Sequence, residues 1–205
     1  MTMSYRTIEL RAFRVALSAA ALLIISGCSH YEVDFDLTDG SFRPKGKSIA
    51  VISGTKEQTN VVLAKLVSDS LRRKSRYQVA SIAEINQAVA SYPQTIKGPY
   101  KSAYFVIDTD WDLGDRNKIA SIQRSLGVDY LYVIWAPVAV QHNGGEVLSV
   151  PAVAQLFERP NTSVVAQTSM AVFVGDENNV YLKEGVEEIA RQLAENTHMA
   201  SGARK

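Results

Sequence analysis

Residues 48–74 read SIAVISGTKEQTNVVLAKLVSDSLRRK, and the change of hydrophobic period inside this stretch decides the fold class. Ser48-Ile49-Ala50-Val51-Ile52 is a short apolar run rich in β-branched residues, the pattern of a strand buried on both faces. From about Glu57 the period changes. Val62, Leu63, Leu66, Val67 and Leu71 fall at helical spacing, Thr55 and Gln58 stand at capping-box distance, and Arg72, Arg73 and Lys74 close the helix where its dipole favours cations. A buried strand followed by an amphipathic helix is the opening unit of an α/β sheet.

Working outward, Tyr77-Gln78-Val79-Ala80 reads as a second strand, and Ser81 caps a short helix that runs through Val89 and ends before Tyr92-Pro93. Gln94 to Asp115 has no clear pattern. Asp115 then serves as N-cap for a helix carrying Ile119, Ile122 and Leu126, with Gly127 at its C-cap. VDYLYVIWAPVAV (128–140) is a strand whose Pro137 marks an edge or bulge. Two apolar runs, Val147 to Phe157 and Ser163 to Val174, join through Glu158-Arg159-Pro160-Asn161 as a hairpin, and a last amphipathic helix spans about Val180 to Asn196. The order is β-α-β-α, an unassigned segment, then α-β-β-β-α. This predicts an α/β fold with a mixed sheet covered by helices in three layers.

The N-terminal residues have a different character. Arg6, Arg11 and Arg14 precede VALSAAALLII (15–25), an apolar run of signal-peptide length and too short to span a bilayer. Ile25-Ser26-Gly27-Cys28 follows at once and holds the only cysteine of the chain. This tetrapeptide resembles the lipobox of bacterial lipoproteins. The resemblance implies a signal peptide over 1–27, cleavage before Cys28 and diacylglyceryl attachment to its thiol. Ser29 stands where inner-membrane lipoproteins usually carry Asp, so the resemblance implies the outer membrane, with the domain facing the periplasm. The expected partner of the N-terminus is therefore the membrane, through its lipid anchor.

The polar stretch 29–47 (SHYEVDFDLTDGSFRPKGK) reads as a tether that completes an anchored segment over 28–47, up to about 60 Å long when fully extended. Val33, Phe35 and Leu37 alternate with acidic residues within it and would also suit an edge strand. A single α/β domain is expected over 48–197, followed by a flexible tail over 198–205.

Composition narrows the function classes. Hydrophobic residues at 46% and charged residues at 21% describe a globular chain with a substantial core. The net charge of +1 falls to −1 without residues 1–27, so nucleic acid is not an expected partner. Asp108, Asp110, Asp112 and Asp115 (DTDWDLGD, 108–115) are the best carboxylate series for a hard cation. However, Leu113 and Ile119 stand where a calcium loop needs Gly and Glu, and solvated carboxylates around Trp111 are the simpler reading. Trp111 is a candidate contact for lipid headgroups or a neighbouring subunit. Ser53-Gly54-Thr55-Lys56 lacks the second Gly and the Lys-Ser/Thr ending of a phosphate loop. His30, His142 and His198 have no ligand-spaced partners, and no nucleophile motif accompanies them. No catalytic residue, metal or cofactor is expected, and the chain is not read as an enzyme.

The first strand, LRRKSRYQV (71–79) and IASIQRSLGVDYL (119–131) together resemble the lipoprotein domain shared by CsgG, PelC and LpoB, whose fold is similar to the N-terminal domain of TolB. The likeness covers about 48–197. It implies a non-catalytic accessory or assembly component of an envelope export or biogenesis machine, working as a homo-oligomer or within an envelope protein complex. The alternatives are an LpoB-like activator of peptidoglycan synthesis and a metal- or small-ligand-binding envelope lipoprotein. Departures limit the likeness: the turn after the first strand lacks the Pro-Phe-like pair of CsgG-type sequences, and no clean pair of membrane-crossing hairpins is present.

Overall fold

In the computed structural model the described residues are 31–38, 42–99, 113–136, 140–141, 148–174, 180–197 and 199. The strands are β1 (Tyr31–Leu37), β2 (Ser48–Ser53), β3 (Gln78–Val79), β4 (Tyr130–Trp135), β5 (Val140–Gln141), β6 (Leu148–Glu158) and β7 (Ser163–Val174). The described helices are α1 (Gln58–Lys74), α2 (Ile82–Ala88), α3 (Leu113–Leu126) and α4 (Val180–Asn196). One mixed sheet runs β1-β7-β6-β4-β2-β3, with β5 paired to β6. β2 pairs in parallel with both β3 and β4, and the pairs from β4 through β6 and β7 to β1 are antiparallel. The expected three-layer mixed α/β architecture is the one observed.

The layers follow from alternation along the two central strands. Ile49, Val51, Tyr130, Tyr132 and Ile134 pack on one face in the same core as Leu63, Val67 and Leu71 of α1 and Ile189 and Leu193 of α4. Ala50, Ile52, Leu131, Val133 and Trp135 pack on the other face with Ile85 of α2 and Ile119 and Ile122 of α3. Both faces of β2 and β4 are thus dry, which explains their unbroken apolar runs. Each fully buried Leu, Ile or Val here contributes about 1.5–3 kcal/mol.

The reading of 28–47 as a tether is corrected. Tyr31–Leu37 is an edge strand, registered against β7 from Tyr31↔Val172 to Leu37↔Ala166. Val33, Phe35 and Leu37 are half-buried against the core beneath α4, while Asp34 and Asp36 face solvent. The apolar residues at every second position supply a stripe that is worth burying, and β7 supplies the backbone partners. Gln192 of α4 donates to the Val33 carbonyl at 3.2 Å. The next segment is held as well. Phe42 is buried and meets the Tyr130 ring edge-on, at a centroid distance of 6.1 Å. At the other end of the chain, Met199 packs on the core and its carbonyl accepts from the Arg76 N–H at 2.7 Å, so the folded part extends past 197.

Two expected caps also differ. The N-cap of α1 is Glu57, without a side-chain cap bond, and the Thr55 hydroxyl accepts from the Glu57 N–H instead. Asp115 lies inside the first turn of α3, where its charge still complements the helix dipole. Ser81 does cap α2, in a reciprocal capping box with Glu84.

Asp129 holds one end of the sheet together. Its Oδ2 accepts from the backbone N–H groups of Lys47 and Ser48 at 2.9 and 3.0 Å and from the Ser48 hydroxyl at 2.7 Å. Its Oδ1 faces Arg159 at 3.5 Å. A Cβ on Gly46 would lie 2.2 Å from the Asp129 Cβ, so only glycine lets the chain pass this close. The Ser48 hydroxyl, helped by the two N–H groups and Arg159, holds the Asp129 carboxyl below its usual value. A lowered folded-state value makes this contribution complete above the ordinary carboxylate range and lost as pH falls through it. Asp129→Ala is expected to cost about 2–4 kcal/mol in denaturant unfolding at neutral pH. The wild-type advantage over this variant should shrink as the pH is lowered below about 4.

Candidate functional site

Open α/β sheets bind ligands outside the carboxyl ends of their parallel strands, where successive helices leave toward opposite faces. Here that place is the end of β2 and β4, with α1 on one face and α3 on the other. It is filled by the protein's own side chains. Ser53, Asn60 and Trp135 are fully buried there. The Asn60 amide donates to the Ser53 hydroxyl at 2.6 Å and the Ile134 carbonyl at 2.8 Å, and its oxygen accepts from the Ala136 N–H at 3.0 Å. The Trp135 indole N–H donates to the Ile96 carbonyl at 2.9 Å.

The loop Ser53-Gly54-Thr55-Lys56 is tied down in the same way. The Gly54 N–H donates to the Ile134 carbonyl at 2.7 Å, the Thr55 N–H to the Ser53 hydroxyl at 3.2 Å and the Ser53 N–H to the Tyr92 hydroxyl at 3.1 Å. Donors that would cradle a phosphate are therefore used internally. A Cβ on Gly54 would lie 2.2 Å from the Trp135 indole nitrogen, so the ring closes over the loop. The usual ligand crevice of this class of sheet is a packed polar core.

A cavity of about 480 Å³ opens at the opposite end of the parallel strands, beside the edge strand β3. Val79, Ala80, Ala88, Leu126 and Val128 give it apolar surface, and Gln78, Gln87, Glu84 and Ser48 give it polar walls. The N–H groups of Gln78 and Ala80 donate to the carbonyls of Lys47, just before β2, and of Ile49 on it. The alternation of a strand therefore turns the backbone groups of Val79, on the last strand of the sheet, toward the open side. The carboxylate of Glu84 is occupied by the Ser81 N–H at 2.6 Å, which holds it below its usual value.

Cys28, Asp108, Asp110, Trp111 and Asp112 lie outside the described residues, as do His30, His142 and His198. Asp115 is half-exposed on α3, and Trp135 is in the core as its strand pattern implied. Among the described residues no three His, Cys, Asp or Glu side chains come together as a metal cluster, and no helix is long and apolar enough to cross a membrane. Sequence reading passed over Asn60. The one available signal was a polar residue on the same helix face as Leu63, Ala64 and Val67.

The fold and these two ends define a class, a three-layer mixed α/β domain whose upper crevice is closed and whose lower edge is open. No family model matches the chain, and no curated protein matches it. Among solved structures it is similar to a PelC dodecamer from Paraburkholderia phytofirmans, at 11% identity and a TM-score of 0.46 over 80% of this chain and 97% of that one. It is also similar to the lipoprotein GNA1162 from Neisseria meningitidis, at 14% identity and a TM-score of 0.46 over 72% and 98%. The C-terminal domain of LpoB from Salmonella enterica matches at 17% identity and a TM-score of 0.39 over 64% and 85%.

Because the Asn60 amide satisfies three separate groups, Asn60→Ala is expected to lower stability by about 2–4 kcal/mol, measured by urea unfolding. Gly54→Ala should cost at least about 1–3 kcal/mol through overpacking against Trp135. If both variants unfolded at the wild-type midpoint, the packed-crevice description would fail.

Proposed function

We propose that this chain is a non-catalytic lipoprotein, anchored through Cys28 in the outer membrane with its domain facing the periplasm. In this reading it is an accessory or assembly component of an envelope export or biogenesis machine and works as copies assembled side by side. One observation carries the reading further than the lipobox does: β1 begins at Tyr31, three residues after Cys28. At full extension three residues reach about 10 Å. Several acyl chains at about 0.8 kcal/mol per buried methylene make such an anchor effectively permanent, so the domain stands on the membrane surface. Copies held in one plane with one orientation meet at a high effective concentration, which favours lateral assembly.

The same short leash weighs against an activator that must reach a synthase in the opposite membrane, since Tyr31–Leu37 of the expected tether belongs to the sheet. It also gives the filled crevice a sense: with no room for a substrate there, the domain's surface is what remains to act. Wild-type protein is expected in the outer-membrane fraction with the mass of its acyl chains, and Cys28→Ser in the soluble fraction. A soluble wild-type protein, or a membrane-bound Cys28→Ser variant, would sink the reading. Inserting about 20 Gly/Ser residues before Tyr31 should weaken cross-linked oligomers in intact membranes by diluting the copies.

A further inference from the structure

The register of the sheet and the reach of the chain before it decide which part of the domain an anchor at Cys28 can bring to a bilayer. Tyr31 stands level with Val172 of β7 and Val150 of β6. Trp135 pairs with Val153, three residues further along β6, so the packed crevice of Ser53, Gly54 and Trp135 lies about 10 Å behind the start of β1. Tyr130, at the other end of β4, pairs with Glu158. From Val150 to Glu158 is eight residues of β6, or about 26 Å at about 3.3 Å per residue. The three residues from Cys28 to Tyr31 span about 10 Å. With the strands upright, the crevice end comes down toward the headgroups and the end beside β3 is held off them.

The other posture open to so short a leash is to lie along β1, the outermost strand. Asp34 and Asp36 are exposed on that strand. Lying there would press both carboxylates onto lipid phosphates, and taking an unpaired charge out of water is costly. The upright end has no such row. Exposed Lys56, Glu57, Gln58 and Thr59 lead into α1 there, and the Lys56 charge offsets that of Glu57. Behind them the donors and acceptor of Asn60 and the Trp135 indole N–H are satisfied within the protein. A bilayer set across this end therefore leaves none of these buried groups unpaired. A ligand crevice in the same place would open onto lipid.

We propose that the domain meets the headgroups of its anchoring bilayer with the end that holds Ser53, Gly54 and Trp135, its strands upright. The proposal rests on the lipidation of Cys28 argued above and adds the face that the anchor selects. Its counterpart is that β3, with its open edge and cavity, points away from the membrane, where a soluble partner reaches it.

The test is Förster transfer from the full, lipidated chain in phosphatidylethanolamine/phosphatidylglycerol vesicles that carry an acceptor dye on some headgroups. Acylation consumes the only native thiol, so a single introduced cysteine takes the donor dye. Lys56→Cys and Thr59→Cys mark the crevice end, and Lys45→Cys and Arg124→Cys mark the other; all four positions are exposed, and unchanged thermal unfolding would show that the variants fold. Transfer from positions 56 and 59 should be several-fold more efficient than from 45 and 124. Inserting about 20 Gly/Ser residues before Tyr31 should bring the four values together. An acylated chain with equal transfer from both ends, or with more from 45 and 124, would overturn the orientation, and a difference that survives the insertion would overturn the leash as its cause. A chain without acyl mass would instead sink the lipoprotein reading itself, and this orientation with it.

Discussion

β2 and β4 lie side by side in parallel with both faces covered, and most of the architecture answers to that burial. A strand that is apolar on both faces needs a helix layer on each side. α1 and α4 supply one layer, and α2 and α3 supply the other. β3 extends the sheet in parallel beside β2, and β6, β7 and β1 extend it on the other side by antiparallel pairing, β1 ending it with its apolar residues turned beneath α4 and its acidic residues turned out. The Gln192 amide on the Val33 carbonyl caps one of the backbone groups that an edge strand leaves open.

The two ends of this central pair have been treated in opposite ways. At the carboxyl ends, Asn60, Ser53 and Trp135 form a buried polar cluster in which each amide donor and acceptor of Asn60 has a named partner. Such a cluster is rigid because breaking any one bond leaves a dry polar group unpaired. At the amino ends, Asp129 gathers the incoming chain while β3 stops after two residues, leaving an open edge and a cavity. An α/β sheet of this kind would ordinarily place its chemistry at the first end. Here, among the described residues, the first end is packed and the second is open.

Much of the fold was legible in local patterns. The period changes at 48–74, the Ser81 capping box and the Glu158 to Asn161 hairpin each specify structure through neighbours a few residues apart. The edge strand was harder, because Val33, Phe35 and Leu37 read equally as spaced residues in a polar tether until β7 is placed beside them. Thr55 misled for a related reason: capping-box spacing was present, but its hydroxyl found the Glu57 N–H in a turn before the helix. The polar cluster was hidden further still. Ala136 and Ile134 lie more than 70 positions from Asn60 along the chain, so no local signal pairs them.

By itself the sequence determined the fold class through alternating strand and helix periods and raised the expectation of an address through a tetrapeptide that resembles a lipobox, all written in short-range patterns of residue size and polarity. Tertiary structure decided that Tyr31–Leu37 belongs to the sheet, that the crevice is filled, and that Asp129 meets the chain at 46–48. These depend on which strands become neighbours. That choice is made by burial and backbone pairing over long separations, which no stretch of sequence records alone.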